Sequence, residues 1–254
     1  GAIGTPPRLQ LIREDILKSG KMNSWEADDY LQWYDAYDRF LKEKGFDKAF
    51  PTVDDLTRSM GNVSFYYQGR IIENIRISNT VDAYAVNGWE SMKLENHSGI
   101  VDNYRFPKGD PEVMARYNAP LYLAVKMNRK VVSTGDTTLV DTYIVNEKNL
   151  KGSYILNLVA KDESGNVVAS HKERVTVKGG NDYGQCLQSG WAFIPKSKGY
   201  TRIEASLLKG KTELVKGDDL LFAVELNTKG ITTRGSVADT TGALVNFLRG
   251  VGME

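Results

Sequence analysis

The chain has 254 residues, 41% of them hydrophobic and 26% charged, with a formal net charge of +1. That is the composition of a soluble globular protein with room for one large domain or two ordinary ones. Near-neutrality argues against a nucleic-acid binder, whose affinity rests on neutralising phosphates. No apolar run reaches the ~18 residues of a membrane-spanning helix, so no membrane insertion is expected.

No signal peptide opens the chain. Gly1-Ala2 carries no initiator Met, so this absence decides nothing about compartment. A single cysteine, Cys186, excludes an internal disulfide framework and a cysteine-based zinc cluster. His97 and His171 are too few and too far apart for a multi-histidine metal site. There is no nucleophile elbow, phosphate loop or dinucleotide fingerprint. No cofactor and no metal are expected.

Taken in order, a Gly/Pro-rich opening leads into a helix with Leu9, Ile12, Ile16 and Leu17 on one face, stopped by Gly20. Asn23 and Glu26 have capping-box spacing before a helix that carries Tyr30, Trp33, Tyr34, Tyr37, Phe40 and Leu41. An aromatic stripe at that spacing is expected to bury against a neighbour; a sugar-stacking surface is the alternative. Gly45 ends that helix, and Phe46–Pro51 reads as a loop. Thr52 and Asp55 form a second capping box ahead of Val53–Met60, and Gly61-Asn62 is expected to break that helix. Ser64–Ser78 then reads as a separate helix. Tyr67, Ile71, Ile72 and Ile75 are expected inward, with Arg70, Glu73 and Arg76 supporting the other face.

Asp82–Val86 reads as a short buried strand, running into Asn87-Gly88-Trp89-Glu90 and the polar cluster Glu95-Asn96-His97-Ser98. Helix, polar loop, strand, then a Trp at the strand's carboxyl end is the order of the last unit of a (β/α)8 barrel, whose strand ends carry the active site. Ser98–Arg105 reads as a short helical turn. Asp110-Pro111 starts a further helix, with Asp as cap and Pro at the first position; it ends near Asn118.

After Pro120 the period changes to that of strands. Leu121–Val125, Thr138–Val145, Ser153–Lys161, Val167–Val177, Tyr200–Leu208 and Leu220–Leu226 are the expected strands. Turns are expected at Asp162–Asn166, Lys209–Lys211 and Lys216–Asp219. Six or seven short strands over this length make an immunoglobulin-like sandwich, with Trp191 in its core. Ser236–Met253 reads as turn plus helix, the start of a further module or a docking element.

Two stretches, NGWESMKLENHSGIVDNYRFPKGDP and APLYLAVKMNRKVVSTGDTTLVDTYIVNEKNLKG, resemble the carboxyl-terminal part of glycoside hydrolase family 2 proteins, of the β-galactosidase, β-glucuronidase and β-mannosidase type, especially divergent bacterial members. The resemblance covers roughly residues 1 to 226. It implies an α+β multidomain fragment: the helix-rich end of a (β/α)8 barrel in residues 1–119, an immunoglobulin-like β-sandwich in residues 120–227, and a connector and helix in residues 228–254. The implied activity is retaining hydrolysis of terminal β-glycosides by two glutamates about 5–5.5 Å apart, in a periplasmic or secreted bacterial protein. Those glutamates belong to the fourth and seventh barrel strands, which this chain lacks. The fragment is therefore expected to be inactive alone, with no catalytic residue of its own.

Trp89 matches the family's Trp at the end of the eighth strand and is the expected sugar platform, with core or rim packing as the alternative. Asn87, Glu90, Glu95, Asn96 and His97 are the accompanying candidates for substrate binding. Glu90 and Glu95 are the local carboxylates able to do acid/base work, and hydrogen-bonding of sugar hydroxyls is preferred for them. Asn146-Glu147 echoes the family's acid/base motif but lies in the sandwich region. The expected partner is a carbohydrate, and the exposed edges of a truncated barrel could pair between chains. The competing reading is a non-catalytic carbohydrate-binding or structural β-sandwich module.

Overall fold

The structure is a computed structural model that describes residues 5–86, 88–90, 99–225 and 238–250. It is a mixed fold of helices followed by two sheets. By proximity the chain divides into two compact units: Gly1–Tyr122 with Val145–Leu150 and Gly179–Gln185, and Leu123–Ile144 with Lys151–Lys178 and Cys186–Glu254. Among the described residues no helix is long and apolar enough to cross a membrane.

In the first unit, α1 (Leu9–Ser19) ends at Gly20 in the left-handed conformation, as its sequence requires. The helix α2 (Ala27–Lys44) ends the same way at Gly45. The Asn23–Glu26 capping box does not form. Glu26 itself is the cap residue, with φ 64° and no side-chain cap, because two turns over Lys21–Ala27 take the chain into the helix instead. The aromatic stripe buries: Tyr30 and Leu41 join Leu9, Ile12 and Val53 in one core, with Trp33, Tyr34 and Tyr37 packed against it. Phe40 is the exception, exposed and stacked on Phe46 at 5.6 Å.

The Thr52–Asp55 capping box is present with both reciprocal bonds. It opens α3 (Val53–Ser78), a single 26-residue helix that runs straight through Gly61-Asn62. Gly61 is there for contact: a Cβ on it would lie 1.8 Å from the Lys108 carbonyl oxygen. The neighbouring Asn62 accepts the Asp110 backbone N–H at 2.7 Å. Asp110 in turn caps α4 (Pro111–Tyr117) through the Glu112 N–H, as expected.

The inward face of α3 is only partly the expected one: Ile72 is buried and Ile75 half-buried. Tyr67 and Ile71 are exposed, whereas Arg70, Glu73 and Arg76 are buried beside Ile72. Their charges are matched. Arg70 pairs with Glu73 at 3.2 Å, and the Tyr122 hydroxyl donates to Glu73 at 2.7 Å. Burial, reinforced by Glu73, pushes the Tyr122 hydroxyl far up in pKa. Arg76 donates to the Tyr117 and Ala119 carbonyls and to Glu147. Hydropathy assigned these residues outward because it scores each side chain without its partners, and a buried charge is tolerable only when paired.

The sandwich comprises a three-stranded sheet of order β1-β3-β6 and a five-stranded sheet of order β2-β8-β7-β4-β5. The strands are β1 (Leu121–Met127), β2 (Val131–Ser133), β3 (Thr138–Asn146), β4 (Gly152–Lys161), β5 (Val167–Val177), β6 (Gly184–Phe193), β7 (Gly199–Lys209) and β8 (Thr212–Val224). Tyr154, Leu156, Leu158 and Ala160 face the core, as do Ile203, Ala205 and Leu207. The expected turns at Asp162–Asn166 and Lys209–Lys211 close the β4–β5 and β7–β8 hairpins.

The expected turn at Lys216–Asp219 is instead the middle of β8. Gly217 sits where a Cβ would lie 1.8 Å from the Leu123 carbonyl, so it marks close approach, not reversal. Trp191 is half-buried, stacked against His171 and tilted on Phe193, with centroids 6.1 and 6.0 Å away. The helix α5 (Ala243–Gly250) is held at its start by Asp239, which accepts the Leu244 and Val245 N–H groups.

Candidate functional site

Of the expected sugar-binding residues, Trp89 and Glu90 are described; Asn87, Glu95, Asn96 and His97 lie outside the described residues. Trp89 is held through its backbone, its carbonyl accepting the Ile100 and Val101 N–H groups at 3.0 and 3.1 Å. Its ring is 65% exposed and stacks on no other ring among the described residues. Glu90 bridges to Val101 through the backbone, and its carboxylate lies 3.6 Å from Arg105 Nε. It is thus half of an ion pair.

What fixes this frame is Asp102, 1% exposed. Its Oδ1 accepts the Tyr104 and Phe106 N–H groups and closes a tight turn in which Arg105 takes φ 63°. The expected helical turn at Ser98–Arg105 is this loop, described from Gly99 onward. Arg8 lies 3.5 Å from Asp102 Oδ2 and over the Phe106 ring.

Beside this turn is a cavity of about 120 Å³ lined by residues that include Arg8, Asp54, Arg58, Asp102 and Lys108. Burial lowers the Lys108 pKa to about 8, against a smaller opposing pull from Asp102. Burial also pushes the Asp54 carboxyl up, opposed by the Gln10 backbone N–H. The space is below the roughly 300 Å³ at which ligand pockets begin, and of a size for ordered water.

The second cavity, about 620 Å³, is within the ligand range. Its walls are the last turn of α3 (Ile75, Arg76, Asn79), the segment Val81–Tyr84, Glu147, and the loop Asn181–Tyr183. The segment Asp82–Val86 does not form the expected buried strand. Among the described residues it pairs with no strand, and its side chains are exposed, because an extended segment is buried as a strand only where hydrogen-bonded neighbours flank it.

The lining side chains divide by what already holds them. Arg76 is spent on its three acceptors, and Glu147 on Arg76 at 2.7 Å. Asn79 exchanges two bonds with the Gly184 backbone, at 2.6 and 2.7 Å. The Tyr84 hydroxyl donates to Asn118, leaving its ring available. Asp82, Asn181, Asp182 and the Tyr183 hydroxyl complete the wall and are exposed. Rings, amides and carboxylates together suit a polyol with an apolar C–H face.

The sequence reading missed this wall. The run Gly179-Gly180-Asn181-Asp182-Tyr183 was the available signal: a polar and aromatic loop on a rigid scaffold, where binding residues concentrate. Among the described residues no group of three or more His, Cys, Asp or Glu side chains is placed to hold a metal ion.

No family model matches the sequence, and no curated protein matches it. Solved structures similar to part of the chain include a glycosyl hydrolase family 2 member from Bacteroides cellulosilyticus, 16% identical with TM-score 0.33, the match covering 41% of this chain and 15% of that one. Others are a Bacteroides uniformis β-glucuronidase (17% identity, TM-score 0.32, 40% and 13%) and a putative β-galactosidase from Bacteroides fragilis (13%, 0.30, 41% and 16%). These likenesses are distant, and the matched part of the chain spans about a seventh of the length of such proteins.

Proposed function

We propose that this chain is the carbohydrate-binding, carboxyl-terminal part of a retaining glycoside hydrolase of the family 2 type, acting on terminal β-glycosides in a periplasmic or secreted setting. In this reading residues 1–119 are the end of a (β/α)8 barrel, residues 120–227 the sandwich, and residues 228–254 the start of a further module. Its share of the work is binding, and the two catalytic glutamates come from outside these residues.

The observation that carries the reading is the cavity of about 620 Å³ with the Tyr84 and Tyr183 rings and the Asn181 and Asp182 side chains on its wall. The exposed Trp89 ring, with Asn87, Glu90, Glu95, Asn96 and His97 near it in sequence, is a second sugar-contacting element. The ion pairs of Glu147 with Arg76 and of Glu90 with Arg105 support a non-catalytic role for both carboxylates. Val81, Tyr84 and Val86 are exposed apolar side chains on an unpaired segment, which supports pairing between chains. Sedimentation at rising concentration should show a dimer, and a monomer at every concentration would remove that part of the reading.

Calorimetric titration with simple hexosides is the direct test. Binding should weaken at least tenfold in Tyr183→Ala, and an aryl β-galactoside should not be turned over. Hydrolysis in proportion to protein concentration would overturn the non-catalytic assignment, and absence of binding to any hexoside would overturn the carbohydrate one.

A further inference from the structure

We infer that the larger cavity selects its sugar by charge, preferring a hexosamine over the neutral hexose and excluding the uronate. The inference rests on the proposed reading of this cavity as a sugar site and names the class of sugar.

The charge follows from the bonds already made. Four ionisable side chains of strong charge line the space: Arg76, Asp82, Glu147 and Asp182. Arg76 and Glu147 neutralise each other at 2.7 Å. Among the described residues Asp82 and Asp182 have no such cation, so the described lining carries two uncompensated negative charges. A third contribution has the same sign. Ile75, Arg76 and Asn79 place the carboxyl end of α3 at the wall, and a helix presents the negative end of its dipole there.

A protonated amine is drawn to such a space, and a sugar carboxylate is repelled from it. The rest of the wall fits the remainder of a pyranose. The Tyr84 and Tyr183 rings can meet its C–H face, and the Asn181 amide and the carboxylates can take its hydroxyls. Other cations, such as a lysine side chain, would satisfy the charge but leave the rings and the amide without a counterpart.

The test uses the full chain and three methyl glycosides of one configuration: glucosamine, glucose and glucuronate. Titrations are run at pH 6.5 and low salt, with the wild type and with Asp82→Asn/Asp182→Asn. Both positions are exposed, so the double variant should fold, and circular dichroism checks that it does. The wild type is expected to bind the amino sugar about fivefold more tightly than glucose and the uronate about tenfold more weakly. The double variant should bring all three within about twofold while still binding glucose, and 0.5 M salt should narrow the wild-type spread.

Uronate binding equal to that of glucose overturns the charge inference and leaves the sugar reading standing. So does an order that survives in the double variant. If none of the three glycosides binds, the sugar reading of the cavity falls, and the inference with it.

Discussion

Arg76 and Lys108 are two buried cations of the first unit. Arg76 places its guanidinium on two carbonyls and a carboxylate, with distances of 2.6 to 2.7 Å. Replacing it by Met leaves the two carbonyls without this donor, while the exposed Glu147 returns to water, and the expected loss is about 2–3 kcal/mol. Chemical denaturation measures it; a loss below 1 kcal/mol would mean the network is not stabilising. Lys108 donates to the Thr5 carbonyl at 3.1 Å, and burial lowers its pKa from 10.5 to about 8. The folded state therefore releases this proton before the unfolded chain does. Between those two values the unfolded chain holds more protons, so stability rises with pH. The cost of the buried charge is fully present below about pH 8. Its relief by pH 10.5 is on the order of 3 kcal/mol. Tyr104, Tyr117 and Tyr122, raised above 10 mainly by burial, act oppositely above pH 10. The comparison with Lys108→Met isolates the lysine: the wild type should gain stability relative to the variant from pH 8 to 10, and parallel curves would refute the assignment. None of this was legible in the sequence, where Arg76 and Lys108 look like any surface cation.

At the scale of the element, the sequence located most boundaries and misread two glycines. Gly20 and Gly45 do end helices, because there the chain needs a left-handed residue. Gly61 and Gly217 do not end anything; each gives room to a carbonyl from another element. Local sequence does not distinguish the two uses, since both exploit the missing Cβ, one for torsional freedom and one for space. Gly61→Ala is the discriminating substitution. In an ordinary helix it would stabilise by roughly 1 kcal/mol. Here the methyl would overlap the Lys108 carbonyl, and the expected result is destabilisation by about 2–3 kcal/mol. A gain in melting temperature would show that the contact yields freely.

At the scale of the molecule, the residue sets of the two units interleave along the chain. Segment 145–150 begins with the last two residues of β3 and segment 179–185 ends with the first two of β6, yet both group with residues 1–122. Within that first unit Asn146 donates to the Tyr183 carbonyl, Glu147 to the Pro120 carbonyl, and Asn79 holds Gly184. A chain cut to residues 120–227 keeps the sandwich strands but loses Arg76 and Asn79. Amide exchange at Gly184 should then accelerate at least tenfold, while Leu156 and Ile203, wholly buried in the sandwich, stay protected. Unchanged protection at Gly184 would mean that Asn79 contributes nothing to ordering that segment.

The sequence by itself determined the run of helices before Pro120, the run of strands after it, the Thr52 and Asp110 caps, the two hairpin turns and the burial of the aromatic stripe. All of these follow from periodicity and from bonds between residues close in the chain. Only the tertiary structure decided which face of α3 is buried, that Gly61 and Gly217 are contact points, and that Asp82–Val86 is exposed. It also decided that Tyr84 shares a cavity wall with Asn181, Asp182 and Tyr183. Each of those depends on a partner dozens of residues away, whose charge, carbonyl or missing hydrogen-bond ladder no local pattern records.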